Sequence, residues 1–224
     1  MKTSLSERLR AVWECYGIPS RLKEARLSNY IAGSYEQEQA VLKCREFVAD
    51  GINKIRGGQG LFFQGPVGTG KSHLAVATLY DVVEQNVELF GHEISNDIFS
   101  WDRPEYREMV CSFISVVDFL GLQKAGFSQE RERDKANRLI RKCRNDSVVI
   151  LDDLGAEKPS EWVEEQLYSV IDYRYRNMLS TFFTTNCSLQ VLEERLGKRT
   201  VSRIFEMCSG VKVMGGDWRK RGIS

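Results

Sequence analysis

The chain has 224 residues, 42% of them apolar and 28% charged, with a formal net charge of +1. That size suits one α/β domain with a short leader, and the balance excludes a polycation that binds nucleic acid by bulk charge. No apolar run reaches the length of a membrane span, and "MKTSLSERLRAVWECYG" lacks the apolar core and cleavage site of a secretory signal.

The elements follow in chain order. "SYEQEQAVLKCREFVADGINKI" carries Val41, Cys44, Phe47, Val48, Ile52 and Ile55 at helical spacing, which predicts one amphipathic helix over 35–56. "GGQG" ends it. "LFFQG" reads as a short buried strand, and "KSHLAVATLYDVVEQ" as the helix packed on it. The stretch between that helix and the next strand, residues 86–108, holds Phe90, Phe99, Trp101 and Tyr106. It suits either a partner-docking insertion or a surface subdomain burying its own aromatics.

"MVCSFISVVDFL" contains a second strand, and "SQERERDKANRLIRKCRND" a charged, solvated helix. "SVVILDDLG" is a third strand, apolar enough to be buried on both faces. Ser160 is placed to cap a long helix, "EWVEEQLYSVIDYRYRNM". "TFFTTN" is a fourth strand, "SLQVLEERLG" a helix, and "VKVM" a fifth strand. This alternation predicts a parallel sheet sandwiched by helices.

"GPVGTGKS" fits GxxxxGK[ST] and lies between a strand and a helix, the context that motif needs. Its glycines let backbone N–H groups turn toward phosphate oxygens, and the following helix offers its positive end. The candidate nucleotide-binding set is therefore Gly65, Pro66, Val67, Gly68, Thr69, Gly70, Lys71, Ser72 and His73. Lys71 would reach the β- and γ-phosphates of ATP, and Ser72 would bind Mg²⁺. Asp152 and Asp153 end the third strand at the edge where open α/β sheets bind ligands. They suit either Mg²⁺ binding by Asp152 and water polarisation by Asp153, or the capping of a turn. Asn186 suits either orientation of the lytic water or a plain turn.

The six cysteines are scattered without a CxxC pair, and the two histidines lack a cysteine pair nearby. Free thiols in a reducing cytoplasm are expected, and no zinc site.

Taken together, the P-loop, the "LDDLGAEKPSEWVEEQLYSVIDYRYRN" acidic region, the strand ending in Asn186 and the late "LEERLGKRTVSRIFEMC" resemble the AAA+ ATPases. The likeness is to helicase loaders of the DnaC/DnaI type and to IstB-type transposition helper ATPases. "YGIPSRLKEARLSNY" is similar to their lead-in to the ATPase domain. The likeness spans roughly residues 15 to 220.

It implies a P-loop NTPase three-layer sandwich on a five-stranded parallel sheet, with a leader over 1–34, an ATPase domain over 35–224 and no C-terminal lid domain. It implies an arginine finger at Arg203, completing the ATP site of a neighbouring subunit, with Arg199 one turn earlier and Arg219 near the γ-phosphate. For each of these arginines an ordinary surface ion pair is the alternative. Asp153 stands where such enzymes commonly have Glu, one methylene longer, so turnover below about 1 per second is expected.

The partners implied are ATP, Mg²⁺, DNA in single-stranded form, further copies joined head to tail, and a DnaB-type replicative helicase. A transposase is the rival partner, and a nucleotide-gated adaptor without turnover the rival function. Lys124 and Phe127 suit contact with single-stranded DNA, or core packing in the case of the ring.

Overall fold

A computed structural model describes residues 16–86, 89 and 109–220. The insertion aromatics Phe90, Phe99, Trp101 and Tyr106 lie outside the described residues, as do Cys15 and His92. Five strands form one sheet: β1 (Gly60–Gln64), β2 (Cys111–Ser115), β3 (Val148–Asp152), β4 (Ser180–Thr185) and β5 (Cys208–Lys212). Their order is β2-β3-β4-β1-β5, and every pairing is parallel. The α/β sandwich expected from the alternating pattern is present.

The helices are α1 (Tyr35–Ala49), α2 (Gly51–Arg56), α3 (Lys71–Gln85), α4 (Val116–Ser128), α5 (Glu130–Asn145), α6 (Glu161–Arg176), α7 (Leu189–Leu196) and α8 (Lys198–Met207). Strand residues alternate between the two helical layers, as a period of two requires. Leu61, Phe63, Ile150 and Phe182 pack under α1, α2 and α3. Phe62, Leu151 and Phe183 pack under α4 through α8. Phe47 of α1 meets Phe182 edge to face at 5.2 Å, an arrangement that adds to plain area burial. Residues 16–34, read from sequence as leader, put Tyr16, Ile18, Leu22, Ala25 and Leu27 into the first of these cores.

Two sequence readings are corrected. The single helix over 35–56 breaks at Asp50 (φ −131°, ψ 32°) into α1 and α2. Gly51 follows, and a Cβ there would lie 2.5 Å from Val82 Cγ2, so α2 turns where it meets α3. The fifth strand is Cys208–Lys212 rather than "VKVM". It is the sheet edge, so Ser209, Gly210 and Lys212 stay exposed and the apolar signal shifts downstream. The stretch "MVCSFISVVDFL" contains the second strand as expected, at Cys111–Ser115, and its "VVDFL" end opens α4. Ser115 caps it by accepting from Asp118 N at 3.3 Å. The cap predicted at Ser160 is formed, with Val163 N donating to Ser160 Oγ at 3.3 Å.

Candidate nucleotide site

All five strands run the same way, so the loops after β1, β3 and β4 emerge together along one sheet edge. The β1–α3 loop is "GPVGTG". A Cβ on Gly65 would fall 2.0 Å from Val213 O, so only glycine lets the loop pass the chain leaving β5. Gly70 has φ 92°, and a Cβ there would meet the Tyr30 ring at 2.5 Å. The first turn of α3 thus starts from a left-handed residue no L side chain would hold comfortably.

Lys71 is buried, at 6% exposure, and its Nζ donates to Pro66 O at 2.7 Å. Among the described residues it forms no ion pair. Burial pulls the ammonium below its usual pKa. Asp153 and Asp152 oppose that shift, and Arg219 adds to it. A buried cation resting on main-chain carbonyl alone suits an anionic ligand.

Ser72 Oγ donates to Asp152 Oδ1 at 2.6 Å, and Thr184 Oγ1 donates to the same oxygen at 2.7 Å. Burial raises the Asp152 pKa, and the Ser72 and Thr184 hydrogen bonds hold it back. The next residue, Asp153, sits at φ 59° with its N–H on Thr184 Oγ1 at 2.9 Å. This left-handed step turns the chain, so Asp152 faces Ser72 while exposed Asp153 faces the cavity. The cavity is about 340 Å³ and is also lined by Asn186, from the β4 exit, and by Arg219. Ser72 and Asp152 offer two hard oxygen donors 2.6 Å apart, near enough to serve as neighbouring ligands, the chemistry Mg²⁺ takes. Among the described residues no cluster of His, Cys, Asp or Glu could hold a metal by itself, so phosphate oxygens or water would complete such a site.

The far wall comes from residues the sequence reading did not single out. Tyr30 donates its hydroxyl to Thr69 O at 2.7 Å and stands edge-on to His73, with ring centroids 5.5 Å apart. Burial lifts the Tyr30 pKa to about 12, keeping the phenol a donor. His73 Nε2 lies 3.0 Å from Arg26 O, fastening the lead-in segment to α3. Arg21, Ile31 and Trp218 complete the rim. The available signal was "YGIPSRLKEARLSNY" itself, whose aromatic and aliphatic residues had no other visible task.

The remaining arginines divide. Arg219 lines the cavity. Arg203 does not: its Nε donates to Asp172 Oδ1 at 2.9 Å on α6. Arg199 lines a separate groove with Glu161, Glu164 and Tyr168. Phe127 is 77% exposed, so the core-packing alternative for that ring is excluded. It meets Trp162 at 6.1 Å, and Lys124 Nζ lies 5.2 Å over the same indole.

No family model matches the chain. Among curated proteins it is 24% identical to the replicative helicase loader DnaI of Bacillus subtilis over 180 residues, which is 75% of this chain and 50% of DnaI. It is 22% identical to the replicative helicase loader DnaC of Escherichia coli over 188 residues, covering 84% of this chain and 66% of DnaC. The chain thus spans about half to two thirds of these relatives. Among solved structures, a crystal structure of the DnaC helicase loader superposes with a TM-score of 0.65 and 31% identity, covering 87% of this chain and 99% of that one. A shared five-stranded parallel sheet, and that identity across nearly the whole of the solved chain, make this protein a member of the DnaC/DnaI-like AAA+ family.

Proposed function

We propose that the chain is an ATP-binding, ATP-hydrolysing accessory of DNA replication, a helicase loader that assembles head to tail on DNA. The observation that carries this reading is the convergence of Lys71, the Ser72–Asp152 pair, Asp153, Asn186 and Arg219 on one cavity at the strands' C-terminal edge. The P-loop amides and the start of α3 receive the triphosphate, and Lys71 exchanges Pro66 O for phosphate oxygens. Ser72 and Asp152 would hold Mg²⁺, which would supply neutralisation of the phosphate charge. Asp153 accepts a hydrogen bond from the attacking water, and the Asn186 amide fixes that water's orientation. Arg219 meets the γ-phosphate from the same subunit.

Arg203, outside its own cavity, acts as the finger for a neighbouring subunit. The Phe127–Trp162 pair with Lys124 gives unstacked bases a place to lie, which supports single-stranded DNA as the ligand. The DnaC and DnaI likeness favours a DnaB-type helicase over a transposase as partner.

The test is calorimetry, turnover and capture together. Wild type should bind Mg–ATP and hydrolyse it slowly, and Lys71→Ala should not bind. Asp153→Asn should bind without turnover and, loaded with ATP, retain a DnaB-type helicase on a column. Normal ATP affinity in Lys71→Ala would remove the nucleotide reading. Fast turnover without DNA would contradict the slow-enzyme reading, and failure to retain the helicase would contradict the loader reading.

A further inference from the structure

Arg203 is held by its own subunit in a specific way. Its guanidinium lies between two rings of α6, with Cζ 5.2 Å from the Tyr168 centroid and 5.5 Å from that of Tyr175. Nε donates to Asp172 Oδ1 at 2.9 Å, one Nη1 hydrogen to Arg199 O at 3.0 Å, and one Nη2 hydrogen to Tyr168 Oη at 3.4 Å. An arginine has five N–H donors. Three are used here, so one hydrogen on each terminal nitrogen has no partner among the described residues.

The carboxylate takes only the inner nitrogen, and each outer nitrogen, with one hydrogen engaged, keeps the other available. Asp172 is itself braced: its Oδ2 accepts from Arg176 Nε at 2.8 Å, and its side chain is only 14% exposed. Tyr175 donates to Glu206 Oε1 at 2.8 Å, which fixes the second ring. A long arginine side chain with free rotamers costs ordering energy each time it meets a ligand, and pre-orientation removes that cost.

We propose that Asp172 is a positioning residue, aided by the Tyr168 and Tyr175 rings, that aims the two remaining terminal hydrogens of Arg203 at a phosphate oxygen presented by another copy of the chain. This rests on the reading of Arg203 as a finger acting between subunits. Asp172 touches neither nucleotide nor water, and its effect runs only through Arg203.

The experiment is a double-mutant cycle in ATP turnover on the full chain, with ATP-dependent assembly followed by sedimentation. Asp172→Asn keeps size and removes the charge that orients Nε. It should lower kcat about tenfold while leaving KM and assembly near wild type. Tyr168→Phe, which keeps the ring and loses only the Nη2 acceptor, should give a smaller loss in the same direction. In the Arg203→Ala background, Asp172→Asn should cost nothing more. Mixed with Asp153→Asn subunits, which carry an intact Arg203, the Asp172→Asn protein should recover part of its turnover.

The proposal is overturned if Asp172→Asn matches wild type while Arg203→Ala is inactive. It is also overturned if the two losses simply multiply, or if Asp172→Asn no longer assembles. If Arg203→Ala itself turns over normally, the finger reading falls first and this proposal with it.

Discussion

Ser72 Oγ donates to Asp152 Oδ1 at 2.6 Å, joining the first turn of α3 to the last residue of β3. Thr184 of β4 donates to the same oxygen, so one carboxylate oxygen ties together three elements. Thr184 also accepts from Asp153 N, which makes its hydroxyl the hinge for both acids. Thr184→Val keeps the shape and removes that hydroxyl. It should leave Mg²⁺-free nucleotide binding unchanged and weaken the Mg²⁺-dependent increment about tenfold. A stability loss of about 1–3 kcal/mol is expected from the orphaned buried groups. Titration of ATP with and without Mg²⁺ checks the split, and an equal loss in both would show that Thr184 only supports the fold.

Lys71 permits a prediction with two opposite signs. Among the described residues its buried ammonium donates only to Pro66 O, and that carbonyl also accepts from Thr69 Oγ1 at 2.9 Å. Lys71→Met would therefore remove a buried charge without leaving the carbonyl unpaired. The ligand-free variant should melt about 2–4 °C above wild type, the shift that ~1 kcal/mol gives a chain of this size. Mg–ATP should raise the melting temperature of wild type and leave Lys71→Met unmoved. A ligand-induced shift that survives in the variant would separate Lys71 from nucleotide binding.

The parts legible in the sequence were those with a strong local signature. Four strands and the α3 boundaries follow from apolar runs and from the glycine-lysine-serine punctuation. Buried strands such as Val148–Asp152 have apolar side chains on both faces and announce themselves. The fifth strand was misplaced because an edge strand needs only Cys208 and Val211 buried, a weaker pattern than the apolar "VKVM" beside it. The α1–α2 break was invisible because it depends on Gly51 meeting Val82, a contact across 31 positions of sequence.

At the site, Ser72 of the P-loop motif and Asp152 of the acid pair come within 2.6 Å of each other, with Lys71 beside Ser72 in the chain. Tyr30 and Trp218 were not legible, since their place on the rim depends on the lead-in and tail folding back over the P-loop. Trp218 N reaches Gly68 O at 3.0 Å, a contact with no counterpart in spacing. Asp172 was hidden for a similar reason: one helical acid among many gains meaning only when α8 lies beside α6.

His73 gives a pH dependence. Burial depresses its pKa below the usual 6.5, and the hydrogen bond to Arg26 O only partly offsets this. A depressed value means the unfolded chain takes up the proton first. The stabilising contribution is complete above pH 6.5 and is lost as pH falls toward the lowered folded value. The slope is at most about 1.4 kcal/mol per pH unit for one proton. His73→Gln retains a donor for Arg26 O and has nothing to titrate. The stability difference between wild type and His73→Gln should change between pH 7.5 and 5.5, with wild type losing more. Parallel curves would mean His73 is protonated as readily in the folded chain as in the unfolded one.

Among the described residues Arg174 is the largest fully buried side chain, at 0% exposure, and it lies outside the candidate site. Its Nε donates to Thr181 Oγ1 at 2.8 Å, Nη1 to Cys143 O and Asp146 O at 2.9 Å each, and Nη2 to Ser180 O at 2.6 Å. The guanidinium thereby fastens the end of α5 to the start of β4. Burial pulls its pKa down to about 10, so it stays charged at neutral pH. Three buried thiols, Cys111, Cys143 and Cys208, surround it, each with its pKa raised by burial and therefore unreactive.

A lysine has one nitrogen and cannot span four acceptors on two elements. Arg174→Lys should cost about 3–5 kcal/mol, the range for breaking a buried charged network. Arg174→Met removes the charge but strands the same four acceptors, so it should be no more stable than Arg174→Lys if hydrogen bonding dominates. Denaturant melts give the stabilities. Thiol labelling under native conditions supplies an independent readout, since loosening this junction should speed modification of Cys143 and Cys208 well before global unfolding. If both variants melt like wild type and their thiols stay protected, the guanidinium fills space without joining α5 to β4.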